Sequence, residues 1–265
     1  MKLTTVSTRS LMSSIDTLIQ RSGVHDEWRQ VLTESLSTLD DSYLGDLLQD
    51  DEWLPGVDRL LAAFQRDRSG VRYLLIGESP YPRRESANGI AFYDAAVDGL
   101  WSAQGLSKAV NRATSLRNIV KTALVAEGRL HKDADGKISQ AAIAELDKHD
   151  LVQTLAGLFT NLERAGFLML NATPVLHPGR KPTQEVRYWQ DFLECLLTLI
   201  AANSTRRITL LLWGKIAKLV EDMPASENYG KLVCEHPYNI SFIENPDMLR
   251  LLAEVRVLQM PTRAG

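Results

Sequence analysis

The chain is poor in cysteine, in net charge and in long apolar runs, and each shortage removes a class of protein. Two cysteines in 265 residues, Cys195 and Cys234, are too few for a cysteine-ligated metal cluster and give no disulfide framework. A reducing, cytoplasmic home is the simplest expectation. No stretch has the roughly 18 consecutive apolar residues of a membrane span, so no membrane partner is expected. Met1 to Thr8 lacks the basic-then-apolar pattern of a secretory signal. The formal net charge of −3 offers no global basic field for a polyanion. Contact with nucleic acid would have to come from local clusters. Candidates are Arg72, Arg83 and Arg84, then Arg112, Arg117 and Lys121, then Arg180 and Lys181.

Several catalytic signatures are missing too. No GxGxxG or Walker A pattern follows an apolar run, which excludes dinucleotide and nucleoside triphosphate binding of those kinds. The histidines show no HExxH or other metal-ligand spacing, and there is no GxSxG elbow for an acyl-transfer serine. His131-Lys132-Asp133-Ala134-Asp135-Gly136 faintly echoes a calcium loop. Its first position would be His131 and its twelfth Ala142, and neither supplies the carboxylate that the loop needs, so it reads as a polar turn. No metal and no cofactor are expected.

The composition that remains, 45% apolar and 24% charged, is that of an ordinary globular chain. Residues 11 to 64 read as helical, with Leu11, Ile15, Leu18 and Ile19 on one face and Val31, Leu32, Ser35, Leu36 and Leu39 on another. Val71 to Ile76 is a short apolar run that stops at Gly77, the mark of a buried strand. Similar runs end at Asn171, at Trp213-Gly214 and, over Lys231 to Cys234, at His236. Helices are expected over Ser115 to Leu124 with Ser115 as N-cap, Ala141 to Leu146, Leu151 to Arg164, Tyr188 to Ala201 and Lys215 to Val220. Strands alternating with helices predict an α/β fold, a central, mostly parallel four-stranded sheet flanked by helices. No linker divides the chain, so residues 1–265 read as one domain, with 1–64 a helical N-terminal part and 71–241 the α/β core. Ligands in such sheets bind beyond the carboxyl ends of the strands. The residues at those ends are polar, glycine or histidine.

Taken in order, these strand ends resemble the uracil-DNA glycosylase superfamily. Gly77-Glu78-Ser79-Pro80-Tyr81-Pro82 resembles the family's first motif, GQDPYH, and Gly89-Ile90-Ala91-Phe92 its G-x-x-F. Ser115-Leu116-Arg117-Asn118-Ile119 is similar to SLxNI, a DNA-backbone contact loop. Leu168 to Ala172 resembles LLLNA, Leu211 to Gly214 resembles LLWG, and His236-Pro237-Tyr238-Asn239-Ile240-Ser241 resembles HPSPLS. The resemblance extends upstream to about Trp28. It implies a glycosylase of base excision repair that flips uracil out of DNA and hydrolyses its N-glycosidic bond. Asn171 would read the uracil edge with its amide, Phe92 would stack on the ring, and Tyr81 would exclude a 5-methyl group. His236 would donate to O2 as charge develops there, and Ile240 would wedge into the vacated stack. Ser115, Ile240 and Ser241 would meet the DNA. The expected partner is uracil-containing DNA, single- or double-stranded, met by a monomer; a protein partner stays open.

The main departure falls on the water-activating side. The family's aspartate, third in the first motif, is Ser79 here, which cannot supply a negative charge. Pro82 replaces histidine, the loop before Ser115 lacks the family's prolines, and Tyr238-Asn239 replaces Ser-Pro. Three explanations stand. Glu78, a residue type that cluster-containing branches also carry in this motif, substitutes for the aspartate, with Glu85 a weaker stand-in. The enzyme is real but weaker than the family norm, with Ser79 itself as the water-side residue, since branches with asparagine there still act. Or the chain is a non-catalytic uracil-, DNA- or protein-binding homologue, since folds outlive functions.

Overall fold

The computed structural model describes residues 3–131, 138–180 and 182–260. Lys181 and most of the polar turn at 131–140 lie outside them. In chain order the elements are α1 (Leu3–Arg21), α2 (Arg29–Leu36), α3 (Asp41–Gln49), β1 (Tyr73–Gly77), β2 (Trp101–Ser102), β3 (Gly105–Leu106), α4 (Lys108–Arg112), α5 (Thr114–Ala126), α6 (Gln140–Glu145), α7 (Leu155–Arg164), β4 (Phe167–Asn171), α8 (Pro182–Ala202), β5 (Thr209–Trp213), α9 (Ile216–Glu221), β6 (Gly230–Cys234) and α10 (Pro246–Val255).

The four expected strands form one parallel sheet in the order β4-β1-β5-β6. β1 and β5 pair in parallel from Tyr73 opposite Thr209 to Ile76 opposite Leu212. Every residue of β1 and β4 is buried, which is why both read as unbroken apolar runs rather than alternating ones. β6 closes one edge and does alternate, with Lys231 and Val233 exposed. The chain leaves β1 for β4 on one side and later enters β5 on the other. The carboxyl end of β1, Gly77-Glu78-Ser79, is therefore the topological switch point, where open α/β sheets bind their ligands.

The chain forms two compact units. The first comprises Met1–Asp94, Leu168–Leu212 and Ile216–Lys231; the second Ala95–Phe167, Trp213–Lys215 and Leu232–Gly265. Because the backbone passes between them repeatedly, no linker is readable in the sequence. The core of the first unit joins Trp28, Leu32 and Leu36 of the helical lead-in to Leu74 and Ile76 of β1 and to Trp189, Leu193 and Leu197 of α8. Trp28 packs edge-on against Phe64 with ring centroids 5.1 Å apart, which explains why the helical lead-in behaves as part of the fold. In the second unit α5 packs against α10 and against the 3-10 turn Ile240–Glu244.

Some boundaries differ from expectation. Ser115 is not the N-cap of α5: the helix begins at Thr114, and Ala113 holds the cap position with no side-chain bond. The preceding short helix α4, capped by Ser107, runs straight into it, so no extended serine precedes the helix. α7 starts at Leu155, not Leu151. The backbone before it is spent on pairing, with Val152 donating to the Leu258 carbonyl at 2.8 Å, and Thr154 then caps the helix. α8 begins at Pro182, six residues before Tyr188. The hairpin of β2 and β3 and the helix α10 complete the fold without having been foreseen.

Candidate functional site

The end of β1 is built around the absence of a side chain. A Cβ on Gly77 would lie 2.9 Å from Asn171 Oδ1, 3.1 Å from Ala91 Cβ and 3.5 Å from Phe92 Cε2. Asn171 and Phe92 therefore converge over this glycine and over no bulkier residue. The backbone holds them there. Ala172 N–H donates to the Gly77 carbonyl at 2.8 Å, Thr173 N–H to the Glu78 carbonyl at 3.0 Å, and Ala91 N–H to the Met169 carbonyl at 3.4 Å. Gly89, at φ +85°, anchors the segment, since a Cβ there would strike the Arg59 carbonyl. Phe92 itself has φ +63°.

Asn171 is only 8% exposed, yet its carboxamide has no hydrogen-bond partner among the described residues. A buried amide normally spends its donors and acceptor inside the protein; this one leaves them unspent. Tyr81 is joined to the same segment, its hydroxyl donating to the Phe92 carbonyl at 3.4 Å. Burial first, then the Asp94 carboxylate, push its hydroxyl up to about 12, so it stays a neutral donor. Asp94 is buried and ion-paired with Arg83 at 3.1 Å. Nothing in the sequence pattern marked this pair, which braces the tyrosine's surroundings.

Beyond Gly77 the same strand end is bare. Glu78 and Ser79 are both exposed, and among the described residues neither side chain has a partner. The carboxylate of Glu78 is thus present and unspent.

In the second unit the His236 loop is equally determined. Gly214, at φ +78°, would bring a Cβ within 2.7 Å of His236 Cβ, and its N–H donates to the Cys234 carbonyl at 2.9 Å. Only glycine lets the histidine pack here. His236 Nδ1 accepts from the Tyr238 N–H at 3.1 Å. With Nδ1 an acceptor, the neutral ring carries its proton on Nε2, the tautomer that can donate to a developing oxyanion. Asn118, 2% exposed, donates to the Pro237 carbonyl at 2.7 Å and to the Asn239 carbonyl at 3.3 Å. The asparagine of the SLxNI-like segment thus clamps the loop from beneath. Ser115 is half-buried in the first turn of α5, while Ile240 and Ser241 are exposed at the far side of the loop.

The basic clusters are largely spent inside the protein. Arg84 donates to the Asp51 carbonyl at 2.7 Å, Arg117 to the Asn111 carbonyl at 3.1 Å and Lys121 to the Ile138 carbonyl at 2.8 Å. Arg180 reaches buried Glu185 at 3.4 Å. Arg112 is exposed and bonds to no described residue. Among the described residues, no group of three His, Cys, Asp or Glu side chains is placed to hold a metal ion, and no helix is long and apolar enough to cross a membrane.

A four-stranded parallel sheet in the order β4-β1-β5-β6, with polar side chains gathered at its strand ends, defines an α/β protein of the kind the sequence motifs resemble. Residues 64–255 match the model of the Uracil DNA glycosylase superfamily, and the chain belongs to that family. It is similar to the wild-type UNG of Nitratifractor salsuginis, at 39% identity over 94% of this chain and 98% of that one, with a TM-score of 0.88. Curated relatives include the uracil-DNA glycosylases of Corynebacterium glutamicum, 26% identical over 81% of this chain and 79% of the relative, and of Tropheryma whipplei, 26% identical over 87% and 86%.

Proposed function

We propose that the chain excises uracil from DNA by hydrolysing the C1′–N1 bond. The observation that carries this reading is the unspent, buried carboxamide of Asn171 beside Phe92 over Gly77. An amide there offers a donor and an acceptor to one edge of uracil, the Phe92 ring offers a stacking face, and Tyr81 fills the space that a 5-methyl group would need. As the glycosidic bond breaks, its electron pair leaves with the base and negative charge gathers on O2. The Nε2–H of His236 is the donor suited to it, because the Tyr238 amide fixes the tautomer before any substrate arrives. The water oxygen bonds to C1′ and its proton passes to a carboxylate or to solvent. Glu78 supplies that carboxylate in this reading, its exposure and lack of partners leaving it available. The partner is uracil-containing DNA, and the protein acts as a monomer.

A second reading rests on Ser79. With a neutral, exposed hydroxyl where the family carries its aspartate, the pocket would bind uracil in DNA without cutting it. Single-turnover cleavage of single- and double-stranded uracil oligonucleotides, with protein in excess, separates the two. Alkali-labile product is expected from wild type. It should fall about 10²- to 10³-fold in His236→Ala, the usual cost of losing an oxyanion donor, and fall in Glu78→Gln. Product from Ser79→Asp alone would favour the binding reading. None from any variant would sink the uracil assignment.

A further inference from the structure

The loop after β6 carries more apolar surface than a single wedge requires. Ile240 is 78% exposed and Tyr238 is 68% exposed. Yet the loop is not loose. Tyr238 N–H is held by His236 Nδ1 at 3.1 Å, and Asn239 N–H by the His236 carbonyl at 2.9 Å. Asn118 grips the Pro237 and Asn239 carbonyls from below. Beyond the loop, Phe242 is fully buried and meets Trp213 edge-on at 5.1 Å. Two large side chains are therefore presented to solvent from a fixed backbone, two residues apart, so the ordering cost of a contact is met before any partner binds. Between His236 and Phe242 there is no carboxylate to repel a polyanion.

We propose that Tyr238 is a second DNA-binding prong, whose ring stacks on a base neighbouring the extruded nucleotide while Ile240 occupies the gap. This rests on the proposed function insofar as it takes DNA as the partner of the loop. Its occupant is a nucleobase face rather than a phosphate, because the residue offers an aromatic plane and no cation, and stacking is tolerant of sequence. A tyrosine here gives the loop affinity that does not depend on the basic clusters, most of which bond within the protein.

The test uses binding rather than cutting. Wild type, Tyr238→Phe and Tyr238→Ala would be titrated by fluorescence anisotropy against labelled oligonucleotides, single-stranded and duplex, carrying a tetrahydrofuran abasic-site analogue. In parallel, 2-aminopurine would be placed on either side of that site. Base–aromatic stacking of about 1–3 kcal/mol predicts a weakening of about fivefold to a hundredfold in Tyr238→Ala, with Tyr238→Phe near wild type. Quenching of the 2-aminopurine on one side should be lost with the ring. Unchanged affinity and quenching in Tyr238→Ala would overturn the proposal, as would an equal loss in Tyr238→Phe, which would mean the hydroxyl carries the contact. Failure of wild type to bind either DNA would overturn it too. Wild type that binds through Tyr238 but releases no uracil would leave the second prong standing and sink the excision reading. The residue is exposed, so thermal melts of the variants should match wild type.

Discussion

The pocket at the end of β1 and the loop after β6 are held with equal firmness but show opposite faces. At the pocket, backbone hydrogen bonds and two close-packed glycines turn Asn171 and Phe92 inward, and Asn171 is left buried and unspent. At the loop, a glycine, a buried asparagine and a histidine acceptor turn Tyr238 and Ile240 outward. In the proposed function, one region receives a single base and the other meets what surrounds it. The contrast teaches that rigidity is common to both tasks and that only the direction of the side chains differs. Next to Gly77, the side chains of Glu78 and Ser79 are exposed and have no partner among the described residues.

Three substitutions break or sharpen that contrast. The largest effect is expected from Gly77→Ala. The new methyl would crowd Asn171 Oδ1 and Ala91. A displacement of ångström size at a reacting centre costs on the order of 10²-fold in rate, so single-turnover excision should fall by about that much. DNA affinity measured by anisotropy should change little, because the loop is untouched. A loss of affinity equal to the loss of rate would show that the two regions are not separable. Asn118→Ala comes next and acts on the loop alone. It removes the donors for two carbonyls. Losing such bonds in the interior costs about 1–3 kcal/mol, so the melting temperature should drop by several degrees and DNA affinity should fall. Binding of free uracil, followed by calorimetry, should be retained.

The smallest effect belongs to Glu127, at the far end of the helix that carries Asn118. Burial raises its carboxyl to about 7, from an ordinary 4.5, although its Oε1 accepts the Leu258 N–H. Below pH 4.5 the group is protonated in both folded and unfolded chains and costs nothing. As pH rises from there through 7, ionising it costs more in the folded chain, so stability is lost across that window and stays lower above it. Glu127→Gln should leave the melting temperature unchanged near pH 4 and raise it modestly at pH 8. A difference that shrinks with rising pH would contradict the sign.

Much of the fold was legible because three of the four strands are buried along nearly their whole length and therefore read as continuous apolar runs: Leu74 to Ile76, Leu168 to Leu170, Leu210 to Leu212. The ends of those runs carried the pocket residues, and family likeness named their roles. The hairpin of β2 and β3 was not legible because its strands have two residues each, too short for any periodicity. α10 did carry a signal, Asn245 capping and Pro246 in the first turn, which went unread. Asn118 is the instructive miss. Its motif suggested DNA contact, while its partners are main-chain carbonyls 119 and 121 positions away, a relation that no local pattern records. The Arg83–Asp94 pair was hidden differently. Arg83 was counted as part of a basic surface, and only the fold shows a buried acid spending that charge.

One dihedral in the pocket has a wider consequence. Phe92 sits at φ +63°, a conformation that bulky side chains adopt only at a cost of order 1–3 kcal/mol. Glycine at that position would relax the backbone and remove the ring that lies near Gly77. In the proposed function, selection for heat tolerance and selection for base recognition therefore pull in opposite directions at residue 92. A library screened for thermal survival alone would drift towards discarding the ring.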